Sequence, residues 1–191
     1  FTSVDLPTLV NATLKAVDGL SFSVSATTRD PRPGEIDGES YHFLSPSAFA
    51  ERREEDAFLE WARVYDREYG TLRAPTEHAL ASGQSLLLDI DVQGARQIRE
   101  RMPEAVHIFV APPSLEALRG RLEGRGTDTP QTVERRMALA AEQLAGCGEY
   151  DFVVVNDVLE TAMRTFQGIV LAELCRVARR PRMVERIASG G

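Results

Sequence analysis

The chain has 191 residues, of which 43% are hydrophobic, so it is long enough for one compact core with a smaller appended lobe. Its 22 Lys and Arg are outnumbered by 29 Asp and Glu, which gives a formal net charge of −7. Because no lysine-rich stripe offsets this acidic excess, we do not expect a nucleic-acid-binding surface.

The apolar runs and the cysteines predict a soluble cytoplasmic protein. The longest runs, at 85–88, 107–111 and 152–155, have the length of strands and fall far short of the roughly 20 residues that span a bilayer. We expect neither a signal peptide nor membrane binding. Cys147 and Cys175 lie in helical patterns and form no metal-type pair, so we expect both to be reduced packing residues.

The first part of the chain predicts a helix, a strand and a loop. Apolar residues recur at helical spacing before Gly19, and Ser3 or Asp5 is a candidate N-cap. Segment 20–25 then alternates as a strand does. Segment 27–44 is dense in turn residues and arginine, which is typical of a functional loop.

The next segments complete a predicted α+β lobe at about 26–73. Ser45 or Ser47 can cap a helix that includes Phe49. The aromatic-rich stretch 58–69 fits a strand and a turn.

The remainder alternates strands with helices, which predicts a doubly wound parallel sheet of the α/β class. The predicted strands are 85–91, 106–111 and 152–155, and the predicted helices are 76–81, 94–101, 114–122, 132–147 and 159–177. Ser114 is the expected cap of the helix at 114–122, and the basic tail after 177 is expected to fray. We expect a single domain with its core at about 1–25 and 74–191.

Two acidic residues end the strand LLLDID. Ligands of open parallel sheets bind beyond the carboxyl ends of the strands, where Asp89 and Asp91 would project to the same side. Such a pair can hold magnesium, water or the amino groups of a base. The alternative is a structural role in the turn or cap before Gly94.

Arginines suggest two further sites. Arg29 and Arg32 lie in a loop bounded by Pro and Gly that could fix both guanidinium groups on a phosphate, with Tyr41 and Tyr69 as hydroxyl donors. A second group surrounds the Gly-rich segment LEGRGTDTP and fits a mobile lid at about 119–136. It consists of Arg119, Arg121, Arg125, Arg135 and Arg136. In both cases the alternative is an ordinary solvated surface.

Six segments together resemble guanylate kinases, in the same order and at the family's spacing. They are SVSATTRDPRPGEIDGESYHF, FLEWARVYDREYGT, LLLDIDVQGARQI, IFVAPPS, RLEGRGTD and YDFVVVND. The similarity covers nearly everything after Thr8. It implies a fold like that of the P-loop kinases, with an inserted GMP-binding lobe and a short lid.

The resemblance also implies the roles of residues on the GMP side. The residues that would hold the phosphate of GMP are Ser25, Arg29, Arg32, Tyr41 and Tyr69, and those that would contact guanine are Glu60, Thr71, Asp89 and Asp91. A carboxylate such as Glu60 can accept hydrogen bonds from the ring N–H and the exocyclic amine of guanine, a donor pair that adenine lacks.

On the ATP side, the resemblance implies that Arg121, Arg125 and Arg136 are catalytic lid arginines, with Asn156 near the adenine or the lid. The implied reaction is ATP-dependent conversion of GMP to GDP, with Mg²⁺ accompanying ATP. The expected partners are therefore GMP and ATP, in a monomer or a homodimer.

The N-terminus departs from the family pattern. Guanylate kinases begin with a buried strand and a G-x-x-G-x-G-K-[ST] loop that cradles ATP phosphates, whereas only FTSVDLP precedes the first helix here and Lys15 lies inside that helix. We expect that an upstream strand and loop are omitted from the sequence. The alternatives are an improvised edge strand and a natural domain without kinase activity, which would be a GMP sensor or a scaffold-type interaction domain. Retention of the GMP residues argues against a pure scaffold.

Overall fold

The computed structural model describes residues 6–124 and 129–189 of an α/β protein. Its backbone contacts divide the chain into two compact units. One unit is Gly19–Ala105, and the other comprises the described residues of Phe1–Asp18 and Val106–Gly191. The boundaries of the predicted lobe, core and lid remain predictions.

The unit Gly19–Ala105 holds a mixed four-stranded sheet and a parallel pair of strands. Its strands are β1 (Leu20–Phe22), β2 (Ala26–Thr27), β3 (His42–Phe43), β4 (Phe58–Val64), β5 (Arg67–Leu72) and β6 (Ser85–Leu87). Its helices are α2 (Pro46–Glu54), α3 (Arg73–Ala81) and α4 (Val92–Arg101). The four-stranded sheet has the order β3-β2-β5-β4, with β4 and β5 antiparallel, and β1 pairs in parallel with β6.

Aromatic packing holds α2 against the four-stranded sheet. The rings of Phe49 on α2 and Phe58 on β4 stack with centroids 4.4 Å apart, and both side chains are buried beside Ala26. Gly70 on β5 leaves the space for this ring, because a Cβ at that position would lie 2.8 Å from Phe58 Cδ1. The stacked aromatic pair and the missing side chain at Gly70 therefore fit closely together in the core of this sheet.

Side chains of α4 cover the edge of the same sheet at β4. The N–H of Trp61 donates to Gln97 Oε1 at 3.2 Å, and Gln97 Nε2 donates to the Trp61 carbonyl at 2.7 Å. Arg101 Nη1 donates to the Phe58 carbonyl at 2.6 Å. These bonds satisfy backbone groups that an edge strand leaves unpaired, and they fix α4 along β4.

The other unit is built around the parallel pair β7 (Ile108–Ala111) and β8 (Phe152–Val155). Its helices are α1 (Leu6–Ala16), α5 (Leu115–Gly124), α6 (Pro130–Ala145), α7 (Leu159–Leu174) and α8 (Pro181–Ala188). Helix α1 packs against α7. A buried apolar cluster of Leu118, Leu122, Val133 and Ala140 joins α5 to α6.

The α/β class and several local predictions are confirmed. Ser45 Oγ accepts the N–H of Ala48 at 3.1 Å, and Ser114 Oγ accepts the N–H of Ala117 at 3.0 Å, so both serines cap helices as predicted. Gly19 follows the first helix with a φ of 76°, which suits glycine. Ser3 and Asp5 lie outside the described residues, so the cap and the N-terminal loop remain predictions.

Other boundaries and two assignments at the C-terminal end were wrong. Strand β6 ends at Leu87 rather than at residue 91, because its pairing partner β1 ends at Phe22, and Asp91 then caps α4. The predicted helix 159–177 ends at Leu174, and the tail that was expected to fray forms α8, with Pro181 in its first turn. Cys147 and Cys175 are free thiols, but Cys175 is exposed and is not a packing residue.

Within the described ranges, no helix combines the length and the apolar character that a membrane span requires.

Replacing Phe49 by Ala should lower the free energy of unfolding by about 3–5 kcal/mol, because it leaves a cavity beside Phe58. Urea unfolding at 25 °C followed by circular dichroism measures the change. Phe22→Ala is the matched control, since that side chain is 36% exposed and its loss should cost much less. Equal losses in the two variants would contradict the assigned core.

Candidate functional site

A half-buried arginine is clamped by a carboxylate in the loop that follows β2. Arg29 donates from Nη1 to Glu35 Oε2 at 2.9 Å and from Nη2 to Glu35 Oε1 at 2.7 Å. The backbone N–H of Arg32 donates to Glu35 Oε2 at 2.7 Å. The hydrogen bonds from Arg29, and then the one from Arg32, lower the pKa of Glu35 to about 2. The pair therefore stays ionised, and the guanidinium orientation is fixed.

Aromatic rings surround the clamped arginine. The guanidinium carbon of Arg29 lies 5.2 Å from the ring centroid of Tyr41 and 5.7 Å from that of Phe43. Tyr41 meets Tyr69 edge-on, with centroids 6.2 Å apart. The structure thus brings together Arg29, Tyr41 and Tyr69, a fixed cation with two phenol groups. Such a set of donors suits a compact anion.

The remaining residues of the predicted phosphate set lie on the same loop or at its base. Ser25 lies between β1 and β2, and its carbonyl accepts the N–H of His42 at 2.9 Å. Arg32 is exposed, and its carbonyl accepts the N–H of Glu35 at 3.0 Å. Asp37 Oδ1 accepts the N–H of Phe43 at 2.8 Å. These bonds give the segment 27–44, which the sequence predicts as a functional loop, a defined conformation.

A buried carboxyl group forms a second cluster on β4 and β5. Glu60 is 4% exposed and pairs with Thr71 across the strands, and Thr71 Oγ1 donates to Glu60 Oε1 at 2.7 Å. Burial raises the pKa of Glu60 to about 7; the hydrogen bond from the Thr71 side chain opposes the shift and the charge of Asp91 adds to it. Glu60 is therefore poised between its neutral and ionised forms near neutral pH.

The two aspartates belong to different clusters, Asp91 to that of Glu60 and Asp89 to that of Arg29. Asp91 caps α4, since its Oδ1 accepts the N–H of Gly94 at 2.9 Å, and its charge acts on Glu60. This is the capping alternative that the sequence left open. Asp89 is held beyond the end of β6, where burial raises its pKa. Burial also raises the pKa of Tyr41, and the charge of Asp89 adds to that shift, so Asp89 belongs to the arginine side.

The predicted ATP-side residues lie in the other unit. Arg121 on α5 donates from Nη1 to the Asn156 carbonyl at 2.7 Å and from Nη2 to the Asp157 carbonyl at 3.0 Å. Asn156 is 1% exposed and follows β8. Arg136 lies half-buried on α6, whereas Arg125 falls outside the described residues. The structure thus places Arg121 and Asn156 together at the carboxyl end of β8.

Two further arginines of the predicted lid, Arg119 and Arg135, lie on α5 and α6 respectively. Arg119 on α5 pairs with Glu134 on α6 at 2.5 Å, and both side chains are well exposed to solvent. This ion pair joins the two helices. Glu134 is therefore an acidic partner of Arg119.

Sequence reasoning missed Glu35 as a residue of the arginine cluster. Glu35 follows Arg29 by six positions in a polar loop, and nothing in that spacing separates a clamp from a solvated acid. The usable signal was the chemistry of the loop, because an arginine that is fixed in place needs a counterion.

The family model for guanylate kinase matches residues 8–173. The chain belongs to the guanylate kinase family. It is 47% identical over 178 residues to a guanylate kinase of Symbiobacterium thermophilum, covering 93% of this chain and 84% of that protein. It is 44% identical over 172 residues to a guanylate kinase of Caldanaerobacter subterraneus subsp. tengcongensis, covering 90% and 84% respectively.

A solved structure of the family has a similar fold. The crystal structure of guanylate kinase from Anaplasma phagocytophilum superposes with a TM-score of 0.76 at 34% identity, covering 90% of this chain and 83% of that one. The fold class predicted from the sequence is therefore confirmed by a family structure as well as by the strand and helix order.

Replacing Glu60 by Gln should remove a pH-dependent part of the stability. In the unfolded chain this carboxyl ionises near 4.5, whereas in the folded protein it stays protonated up to about 7. As pH rises from 4.5 to 7, the unfolding free energy of the wild type should therefore fall relative to Glu60→Gln, by about 3 kcal/mol.

Urea titrations at several pH values measure this difference. Glu39→Gln, at an exposed position, is the control and should retain the pH dependence of the wild type. Parallel curves for the wild type and Glu60→Gln would show that Glu60 is not buried in its neutral form.

Proposed function

We propose that this chain is a guanylate kinase that transfers the γ-phosphoryl group of MgATP to GMP, giving GDP and ADP. The observation that carries the proposal is the arrangement of β5. Tyr69 and Thr71 are two residues apart on this strand, so their side chains project from one face about 7 Å apart. Tyr69 belongs to the arginine cluster and Thr71 to the Glu60 cluster. That separation is on the scale of the ribose that joins a base to its phosphate.

At the base end, Glu60 with Thr71 would recognise guanine. A carboxylate aligned with the ring N–H and the exocyclic amine accepts both hydrogen bonds, and adenine cannot supply that pair. Because the Glu60 carboxyl is buried, its unpaired charge would be costly when guanine is absent or replaced by another base. Asp91 adds negative charge at this end.

At the phosphate end, Arg29 retains donors for the ligand. A guanidinium group carries five N–H donors, and the described hydrogen bonds of Arg29 use three of them, two on Glu35 and one on the Asp30 carbonyl. The donors that remain, Nε–H and one Nη2–H, lie on one edge of the group. This edge has the geometry for bidentate phosphate binding. We assign Tyr41, Tyr69, Ser25 and Arg32 supporting contacts.

The ATP side would supply charge and alignment. Phosphoryl transfer needs little covalent chemistry from a protein, so positioned cations carry much of the catalysis. We assign Arg121, Arg125 and Arg136 to the transferring phosphate and Asn156 to the ATP side. The bonds from Arg121 to two carbonyls after β8 support its placement at a strand end. We assign Asp89 to the GMP side, near Tyr41.

Magnesium enters this reaction with ATP. Among the described residues no cluster of three or more His, Cys, Asp or Glu side chains could hold a metal ion. In kinases Mg²⁺ is usually held by one or two carboxylates together with the substrate phosphates and water. We expect the enzyme to act in the cytoplasm, as a monomer or a homodimer, on GMP and MgATP.

Replacing Arg29 by Ala should lower kcat/KM for GMP by about 100-fold, since it removes a bidentate charged contact. Coupled detection of ADP with purified protein, ATP, Mg²⁺ and GMP measures turnover. Arg63→Ala, an exposed arginine on β4, is the control and should retain wild-type rates. Equal activity in the two variants would remove Arg29 from the phosphate site.

The wild-type protein tests the function itself. Robust GDP formation supports the kinase. If GMP raises the melting temperature but no GDP forms, the chain binds the nucleotide without turnover. If GMP produces neither effect, the proposed function is wrong.

Replacing Glu35 by Gln should raise KM for GMP by about tenfold with a smaller change in kcat, because Arg29 loses a charged partner and its fixed orientation. Glu39→Gln, an acid in the same loop, should leave KM unchanged. The same steady-state assay compares them at low salt. A Glu35→Gln variant with the wild-type KM would show that the clamp does not position Arg29.

A further inference from the structure

Gly94 is a glycine that its backbone conformation does not require. It lies buried in the first turn of α4, and its φ is outside the left-handed region that favours glycine. Gly19, Gly34, Gly38 and Gly83, by contrast, all have positive φ values. Glycine is also a poor helix former. The absence of a side chain at Gly94 therefore has another cause.

That cause is the carboxyl group of Glu60. A Cβ built on Gly94 would overlap Glu60 Oε2 and would lie 3.0 Å from the carboxyl carbon of Glu60. Ile90 Cβ would lie 3.4 Å away. The Glu60 carboxyl therefore rests against the bare backbone of α4, in space that any other residue at position 94 would fill.

Neither element can move aside freely. Gln97, one turn after Gly94, exchanges two hydrogen bonds with the backbone of Trp61, the residue after Glu60. Arg101, a further turn along the helix, donates to the Phe58 carbonyl. On the opposite side of the carboxyl, Thr71 holds Oε1 at 2.7 Å. Gly94 thus closes a niche whose other walls are fixed.

We propose that Gly94 is a specificity-determining positioning residue, whose missing side chain holds the Glu60 carboxylate where it reads the base. The inference rests on the proposed function, in which Glu60 is the group that recognises guanine. It adds a residue that touches neither base nor phosphate. Any side chain at position 94 displaces the end of the Glu60 side chain, which is the flexible partner, while the backbone of α4 stays in place.

The consequence is a loss of base discrimination rather than of folding. A displaced carboxylate no longer faces both the ring N–H and the exocyclic amine of guanine. IMP shares the ring N–H but has no exocyclic amine, so it loses less than GMP does. The ratio of kcat/KM for GMP to that for IMP therefore reports the position of Glu60, and general destabilisation lowers both values alike.

The test compares Gly94→Ala with Gly168→Ala, a helical glycine of α7 at which an added Cβ meets nothing within 4 Å. Gly94→Ala should lower the preference for GMP over IMP by about tenfold or more, mainly through KM for GMP. Gly168→Ala should retain the wild-type ratio. A wild-type ratio in Gly94→Ala would overturn the proposal.

A double variant asks whether Gly94 acts through Glu60. On a Glu60→Gln background, adding Gly94→Ala should change the GMP to IMP ratio by less than twofold, since the reading group is already lost. If Glu60→Gln and Gly94→Ala each lower the GMP to IMP ratio by their full separate amounts in the double variant, Gly94 does not act through Glu60.

Carbon-13 NMR of labelled glutamate separates this inference from the function on which it rests. The Glu60 side chain, assigned by its absence in Glu60→Gln, should titrate nearer to 4.5 in Gly94→Ala than in the wild type, because displacement exposes it. An unchanged titration would overturn the contact, whatever the activity. A shifted titration in a protein that neither binds nor converts GMP would support the positioning but reject both the base-reading role and the kinase.

Discussion

The burial of one carboxyl group governs how the Gly19–Ala105 unit is built. Glu60 lies almost wholly out of water, on an edge strand, with Thr71 on one side and the bare backbone of Gly94 on the other. Keeping it there requires a partner on β5, a glycine in α4 and a helix fixed along the strand edge. The hairpin, the helix and their spacing are thus tied to a single group whose ionisation is costly.

Much of the fold could be predicted from the sequence, because the signals were local. Serines before apolar periodic segments gave the caps at Ser45 and Ser114, and alternating strands and helices gave the α/β class. Strand ends were harder, since β6 stops at Leu87 where its partner β1 ends at Phe22, and such pairing between distant segments leaves no local pattern. Helix α8 was missed because its basic composition resembled a frayed tail.

The candidate site, like the fold, could be predicted from the sequence only in part. Motifs predict which residues would contact phosphate and guanine, and the structure gathers Arg29, Tyr41 and Tyr69 in one cluster and Glu60 with Thr71 in another. The supporting residues could not be found this way. The partnership of Glu35 depends on how a loop closes, and the role of Gly94 depends on two elements that lie far apart in sequence. Both are matters of tertiary contact, which a single sequence does not display.

The way in which the edge of β4 is covered affects whether the protein associates with other molecules. An edge strand with unpaired backbone groups can recruit a strand from another molecule, which is a common start of aggregation. Here the amide of Gln97 and the guanidinium of Arg101 occupy the groups of Trp61 and Phe58 that such a strand would need. The helix that shapes the Glu60 niche therefore also keeps neighbouring molecules from extending the sheet at these two residues.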